Sequence, residues 1–136
     1  MDDSTSHPAL AALQEAAKGL LVMSETDAPL VPFFWPSEKK VPLTPTILLE
    51  LIQTKPDMPV KTTTLATFFR SSIKEETWHN DEEKAEIEKF KTLVATIKRI
   101  LTKPQVFRVG QIDMDVYIVG GVDDGYGGLQ TRVVET

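Results

Sequence analysis

The chain has 136 residues and no cysteine, which excludes disulfides, thiol catalysis and thiolate metal sites. Its net charge is −5, and a field of that sign repels phosphate backbones unless a local basic patch offsets it. With 41% hydrophobic and 26% charged residues it has the composition of a globular protein, and one of this length buries roughly two-thirds of its unfolded surface, so a single domain over residues 1–136 is expected.

No basic patch is visible. Lys39–Lys40 and Lys98–Arg99 are isolated pairs without interleaved aromatic residues. Met1–Ser6 is polar and acidic, unlike the basic start of a signal peptide, and no apolar run approaches the ~18 residues of a membrane span. A soluble, cytoplasmic protein that does not bind nucleic acid directly is the expectation.

In chain order, the spacing of Leu10, Leu13, Ala17 and Leu20 predicts a helix over Pro8 to Lys18, capped by Ser6 or His7 and stopped at Gly19. Leu20–Met23 either continues that helix or begins an extended segment. Ser24–Pro29 is a polar break. Leu30–Trp35 reads as a strand that Pro32 confines to an edge or a bulge. Pro36–Lys40 is a turn. Thr44 and Pro45 are suited to the N-cap and first position of a short helix with Ile47, Leu48, Leu51 and Ile52 on its apolar face, ended by Lys55–Pro59. Val60–Thr63 is a brief strand, and Thr64–Ile73 a short helix that buries Leu65, Phe68 and Phe69.

The clearest element is a helix from about Asp81 to Leu101. Ile87, Phe90, Val94, Ile97 and Leu101 step by three and four, and Leu93 and Ile100 widen the stripe. Acidic residues gather at its start and basic ones at its end, as the helix dipole favours. Pro104 ends it. Three strands follow: Gln105–Gly110, Ile112–Gly120 and, after an Asp123–Gly128 turn, Leu129–Thr136. In the second, Ile112, Met114, Val116 and Ile118 are expected on one face, with Asp113, Asp115 and Tyr117 on the other. A final strand running to the last residue would fix Glu135, Thr136 and a carboxylate at one surface point. Helices with consecutive strands argue for α+β, with helices packed on a mainly antiparallel sheet.

Catalytic chemistry has little support. His7 and His79 are the two histidines, and neither has a nucleophile in a recognised motif, so no enzymatic activity is expected. Asp113 and Asp115 share a strand face that is either a cation site or, more simply, solvated. Asp123–Asp124–Gly125 lacks the alternating ligands of a calcium loop and reads as a turn. Trp78 lies amid Glu75, Glu76, Asp81, Glu82 and Glu83, either as a partner-binding anchor or as a core residue covering the helix end.

Several strings, taken in order, resemble the inhibitors of sugar-nonspecific nucleases of the cyanobacterial nuclease A inhibitor type. They are Gly19–Glu25; Phe68–Phe69–Arg70 with Trp78 and Asp81–Glu82–Glu83; Lys103–Val106; Asp115–Gly120; and Val133–Thr136. The resemblance implies a three-layer α/β/α sandwich with a mainly antiparallel central sheet. It also implies a non-enzymatic inhibitor that occludes the active site of a ββα-metal nuclease as a monomer in a 1:1 complex. By the same resemblance, Thr136, beside Glu135, approaches the nuclease's Mg²⁺, which would bridge the two proteins, and Glu25 stands where the scissile phosphate would lie. The inhibitor needs no cofactor of its own. A second contact in the family uses an acid–tryptophan pair; Trp78 matches, Thr77 stands in the acid's place, and Glu76 is the neighbouring carboxylate. The alternative is an interaction module of the same fold directed at a different protein.

Overall fold

The computed structural model describes residues 8–36, 43–55, 57–74, 76–122 and 125–135. The expectations for Ser6, His7, residues 37–40, Pro56, Glu75, Asp123, Asp124 and Thr136 lie outside them. Helix α1 (Pro8–Ala17) buries Leu10, Leu13 and Ala17. It stops at Gly19, whose φ of +79° is a backbone conformation that only glycine adopts without strain. Leu20–Met23 does not extend this helix. The chain instead forms a hairpin of β1 (Leu21–Met23) and β2 (Asp27–Pro29), a two-stranded sheet of its own.

The main sheet has five strands. They are β3 (Val31–Pro36), β4 (Val60–Thr63), β5 (Thr102–Val109), β6 (Asp113–Val122) and β7 (Gly125–Val134), in the spatial order β3-β7-β6-β5-β4 with every pairing antiparallel. β3 occupies an edge, as Pro32 requires, because proline has no N–H for a second neighbour. Helix α2 (Pro45–Leu51) starts as its sequence dictates: the Thr44 hydroxyl accepts from the Ile47 N–H at 3.2 Å, with Pro45 at the first position. The single helix expected over Thr64–Ile73 is instead two short ones, α3 (Leu65–Phe68) and α4 (Arg70–Ile73), separated where Phe69 leaves helical geometry to bury its ring. Leu65 and Phe69 are buried, whereas Phe68 is half-exposed at the rim.

Helix α5 (Asp81–Ile100) carries a capping box. The Asn80 side chain accepts from the Glu83 N–H at 2.8 Å, and the Glu83 carboxylate accepts from the Asn80 N–H at 3.1 Å. Its buried face is Ile87, Phe90, Leu93, Val94 and Ile97. Each such side chain contributes about 1.5–3 kcal/mol relative to exposure. Phe90, Leu93, Val94 and Ile97 join α1, Val106, Met114, Val116, Ile118, Leu129 and Val133 in one core cluster. The alternate sheet residues Phe107, Val109, Tyr117 and Val119 form a second cluster with Phe33, Tyr126 and the α2 residues Leu48 and Leu49. Period-two alternation therefore buries both faces of the central strands. The fold is α+β with a mainly antiparallel sheet.

Three expectations for the last strands are corrected. Ile112 does not share the inward face of β6: it precedes the strand and is 55% exposed. Gly125–Gly128 is not a turn but the start of β7, paired with Val119–Val122. A Cβ at Gly128 would stand only 1.7 Å from the Ile118 carbonyl oxygen, so the glycine there serves close strand packing. The expected strand to the last residue is also shortened, because β7 ends at Val134, one residue before Glu135.

Candidate functional site

The β1–β2 hairpin turns through Ser24, Glu25 and Thr26 between the paired residues Met23 and Asp27. The turn is braced by its own serine. The Ser24 N–H and hydroxyl both donate to the Thr26 carbonyl, each at 2.9 Å, and Ser24 Oγ accepts from the Thr26 N–H at 3.3 Å. The same Oγ accepts from the Val134 N–H at 3.0 Å, and the Val134 carbonyl accepts from the Glu25 N–H at 3.1 Å. Both backbone groups of Val134 are thus satisfied by the hairpin tip. Glu25, which is exposed, and the end of β7 form one corner of the molecule.

Glu135 continues that corner. Its N–H donates to the Ile112 carbonyl at 2.9 Å, and its carboxylate accepts from Arg108 Nη1 at 3.3 Å. The Arg108 guanidinium lies 5.6 Å from the centroid of the Phe68 ring. The corner therefore collects Ser24, Glu25, Arg108, Ile112, Val134 and Glu135 from four separate parts of the chain.

Trp78 stands in a second, local arrangement. The Glu76 carbonyl accepts from the His79 N–H at 3.2 Å, closing a turn with Thr77 and Trp78 at its centre. The His79 Nδ1 accepts from the Glu76 N–H at 3.1 Å. Trp78 is 73% exposed, its ring set edge-on to His79 with centroids 5.8 Å apart. That settles the choice left open by its sequence context: it is not a core residue. Thr77 is exposed beside it. The Glu76 side chain is only 25% exposed and pairs with Lys74 at 3.1 Å, so its carboxylate is folded back rather than projecting beside Trp78.

Strand β1 of the hairpin and His79 of the turn line a common groove of about 310 Å³. Met23, two residues before Glu25, lines it from β1. His79, directly after Trp78, lines it from the other side, with Lys74, Glu86 and Phe90. Met23, 76% exposed, adds an apolar surface beside Glu25, as Ile112 does beside Glu135. Sequence reasoning missed Met23 and Arg108. An outward apolar position of a three-residue strand and one arginine among strand residues are both weak signals.

Residue types used in catalysis also occur here. Ser71, Ser72 and His79 do line one groove. His79 Nδ1 already accepts a hydrogen bond from the Glu76 N–H, so that nitrogen is engaged within the turn. Among the described residues no group of three or more His, Asp or Glu could hold a metal ion. Asp113 is held by Arg132 in a two-pronged ion pair at 2.7 and 2.6 Å, and that hydrogen bond lowers its pKa below the ordinary carboxylate value. Only the Asp113–Asp115 end of that strand face is exposed, and Tyr117 and Val119 on the same face are buried.

The model of the nuclease A inhibitor-like protein family matches residues 7–136. The chain belongs to the nuclease A inhibitor-like family. No curated protein matches the sequence. The family match takes in Glu25, Trp78 and Glu135, so both the corner and the turn lie within the nuclease A inhibitor-like region. None of the described helices is long and apolar enough to cross a membrane.

Proposed function

We propose that this chain inhibits a sugar-nonspecific, metal-dependent ββα-metal nuclease by filling its active site, as a monomer in a 1:1 complex and without catalysis of its own. The observation that carries the reading is the pair of hydrogen bonds, one to the Ser24 hydroxyl and one from the Glu25 N–H, that joins the hairpin to the Val134 backbone at the end of β7. A plug must present its acidic groups in fixed relative positions, because each group ordered only on binding weakens the complex. In this mechanism Glu25 takes the place of the scissile phosphate. Glu135 leads the chain to Thr136, which enters the cleft and offers oxygen to the nuclease's Mg²⁺, a hard cation that prefers such ligands. Trp78 packs on the nuclease surface beside the cleft. The chain's negative charge steers it toward a site built to grip phosphate.

The test mixes the protein with such a nuclease, Mg²⁺ and supercoiled plasmid. Stoichiometric protein is expected to stop cleavage, and unchanged cleavage would reject the reading for that enzyme. Deleting Glu135–Thr136, or adding a C-terminal tag, is expected to weaken inhibition and leave the fold intact. Undiminished potency in the tagged form would reject contact with the metal.

A second reading is an interaction module of the same fold with a different protein partner. It is favoured by one feature, the missing acid beside Trp78: Thr77 is uncharged and Glu76 is bound to Lys74. Recovery of a non-nuclease partner that competes with the nuclease for Trp78 would support it.

A further inference from the structure

We infer that Arg108 is a positioning residue for the segment that follows β7, and that Glu135 acts on a nuclease through Arg108 rather than by touching it. This rests on the inhibitor reading above.

Arg108 stands on β5, two residues from Val106 and on the same sheet face. From there it reaches across β6 to Glu135, beyond the end of β7, since β6 lies between β5 and β7. The arginine is held before it meets that carboxylate. Its side chain is only 22% exposed, and its guanidinium sits over Phe68, whose ring is set edge-on against buried Phe69 with centroids 5.0 Å apart. A guanidinium fixed in this way loses little further freedom when it binds a carboxylate, so the pair is more effective than an exposed bridge between two mobile side chains.

Glu135 lies outside the strand and has two anchors, its N–H on the Ile112 carbonyl and its carboxylate on Arg108. The first fixes the backbone at one point, and the second stops rotation about it. The Glu135 side chain is 57% exposed, but its carboxylate is already paired with Arg108. The backbone of Glu25 shares Val134 with this segment, so holding Glu135 in place also steadies the hairpin tip.

The experiment uses Arg108→Gln, Glu135→Gln and the double variant in the full chain. Amide hydrogen exchange at Glu135 is measured in the free protein, and dissociation from a purified ββα-metal nuclease with Mg²⁺ is measured alongside. Each single variant is expected to speed exchange at Glu135 by about three- to tenfold, with protection in α5 unchanged. Each should speed dissociation by a similar factor, and the double variant by no more than the larger single effect. Unchanged exchange at Glu135, or dissociation factors that multiply in the double variant, would overturn the inference. The latter result would mean that Glu135 touches the nuclease independently. Glu135→Gln alters an exposed side chain, so it decides the exchange question even if Arg108→Gln fails to fold. Failure of the unsubstituted protein to inhibit would count against the inhibitor reading alone, because exchange at Glu135 is read without the nuclease.

Discussion

The corner at Glu25 and the turn at Trp78 are held by opposite means. The corner is built from hydrogen bonds between distant residues: Ser24 and Val134 are 110 positions apart in the sequence. The turn is built from residues three positions apart, Glu76 and His79, and leads directly into the capping box of α5. One region is therefore a product of the whole sheet, and the other is nearly self-contained. Damage to the sheet should reach the corner first, while truncation of Trp78 should alter binding without altering the fold.

The most severe way to separate the two is Gly128→Ala. Its Cβ would collide with the backbone of β6, at a strand that carries the corner. A loss of about 3 kcal/mol or more is expected in denaturant unfolding. In the native protein the Val134 amide should lose exchange protection before those of α5. Equal losses at both would show that the two regions are not separately held.

Trp78→Ala is the converse. Dissociation of the nuclease complex should accelerate by the equivalent of about 1–3 kcal/mol, while unfolding free energy changes by no more than about 0.5 kcal/mol, as for an exposed side chain. Unaltered dissociation would reject Trp78 as an anchor.

Ser24→Ala is milder. It removes the acceptor of the Val134 N–H and both side-chain braces of the hairpin turn, and a stability loss of about 1 kcal/mol is expected. Inhibition should weaken together with Val134 protection. If protection at Val134 is retained, another group has taken over the serine's role.

The smallest effect concerns Asp113, the surface ion pair on β6. Arg132 lowers its pKa in the folded state. The stabilisation is therefore present above the unfolded-state value, near 3.9, and is lost as pH falls through the folded value. Asp113→Asn should remove a small part of the acid-side decline in stability and leave the corner intact. An unchanged acid limb would show that the pair contributes nothing measurable.

Much of the scaffold is legible in the sequence because its signals are local. Thr44–Pro45 specifies a helix start, the stripe from Ile87 to Ile97 specifies α5, and Pro32 specifies an edge strand. The errors arise where a residue has two uses. Gly127 and Gly128 carry a turn composition but serve strand contact, a role visible only once Ile118 lies opposite. Ile112 continues the alternation of β6 in sequence, yet the strand begins after it. At the candidate site, family resemblance points to Glu25, Trp78 and Glu135, but not to the hydrogen bonds that join Glu25 to Val134. Those depend on a serine in a polar break whose partner lies at the far end of β7. Arg108 is obscured for the same reason, since its neighbours in space, Phe68 and Glu135, are remote in the chain.

The position of β7 also sets an order in time. β7 lies inside the sheet between β3 and β6, and Val31 pairs with Gln130 across most of the chain. Closing such long loops is slow compared with forming a turn or a helix. During synthesis the Trp78 turn and α5 can form while later residues are still being added, but the corner cannot exist before residue 134 has been made. On the proposed mechanism, an emerging chain would gain its adhesive side chain early and its blocking acid last, so inhibition would begin only when the sheet is closed.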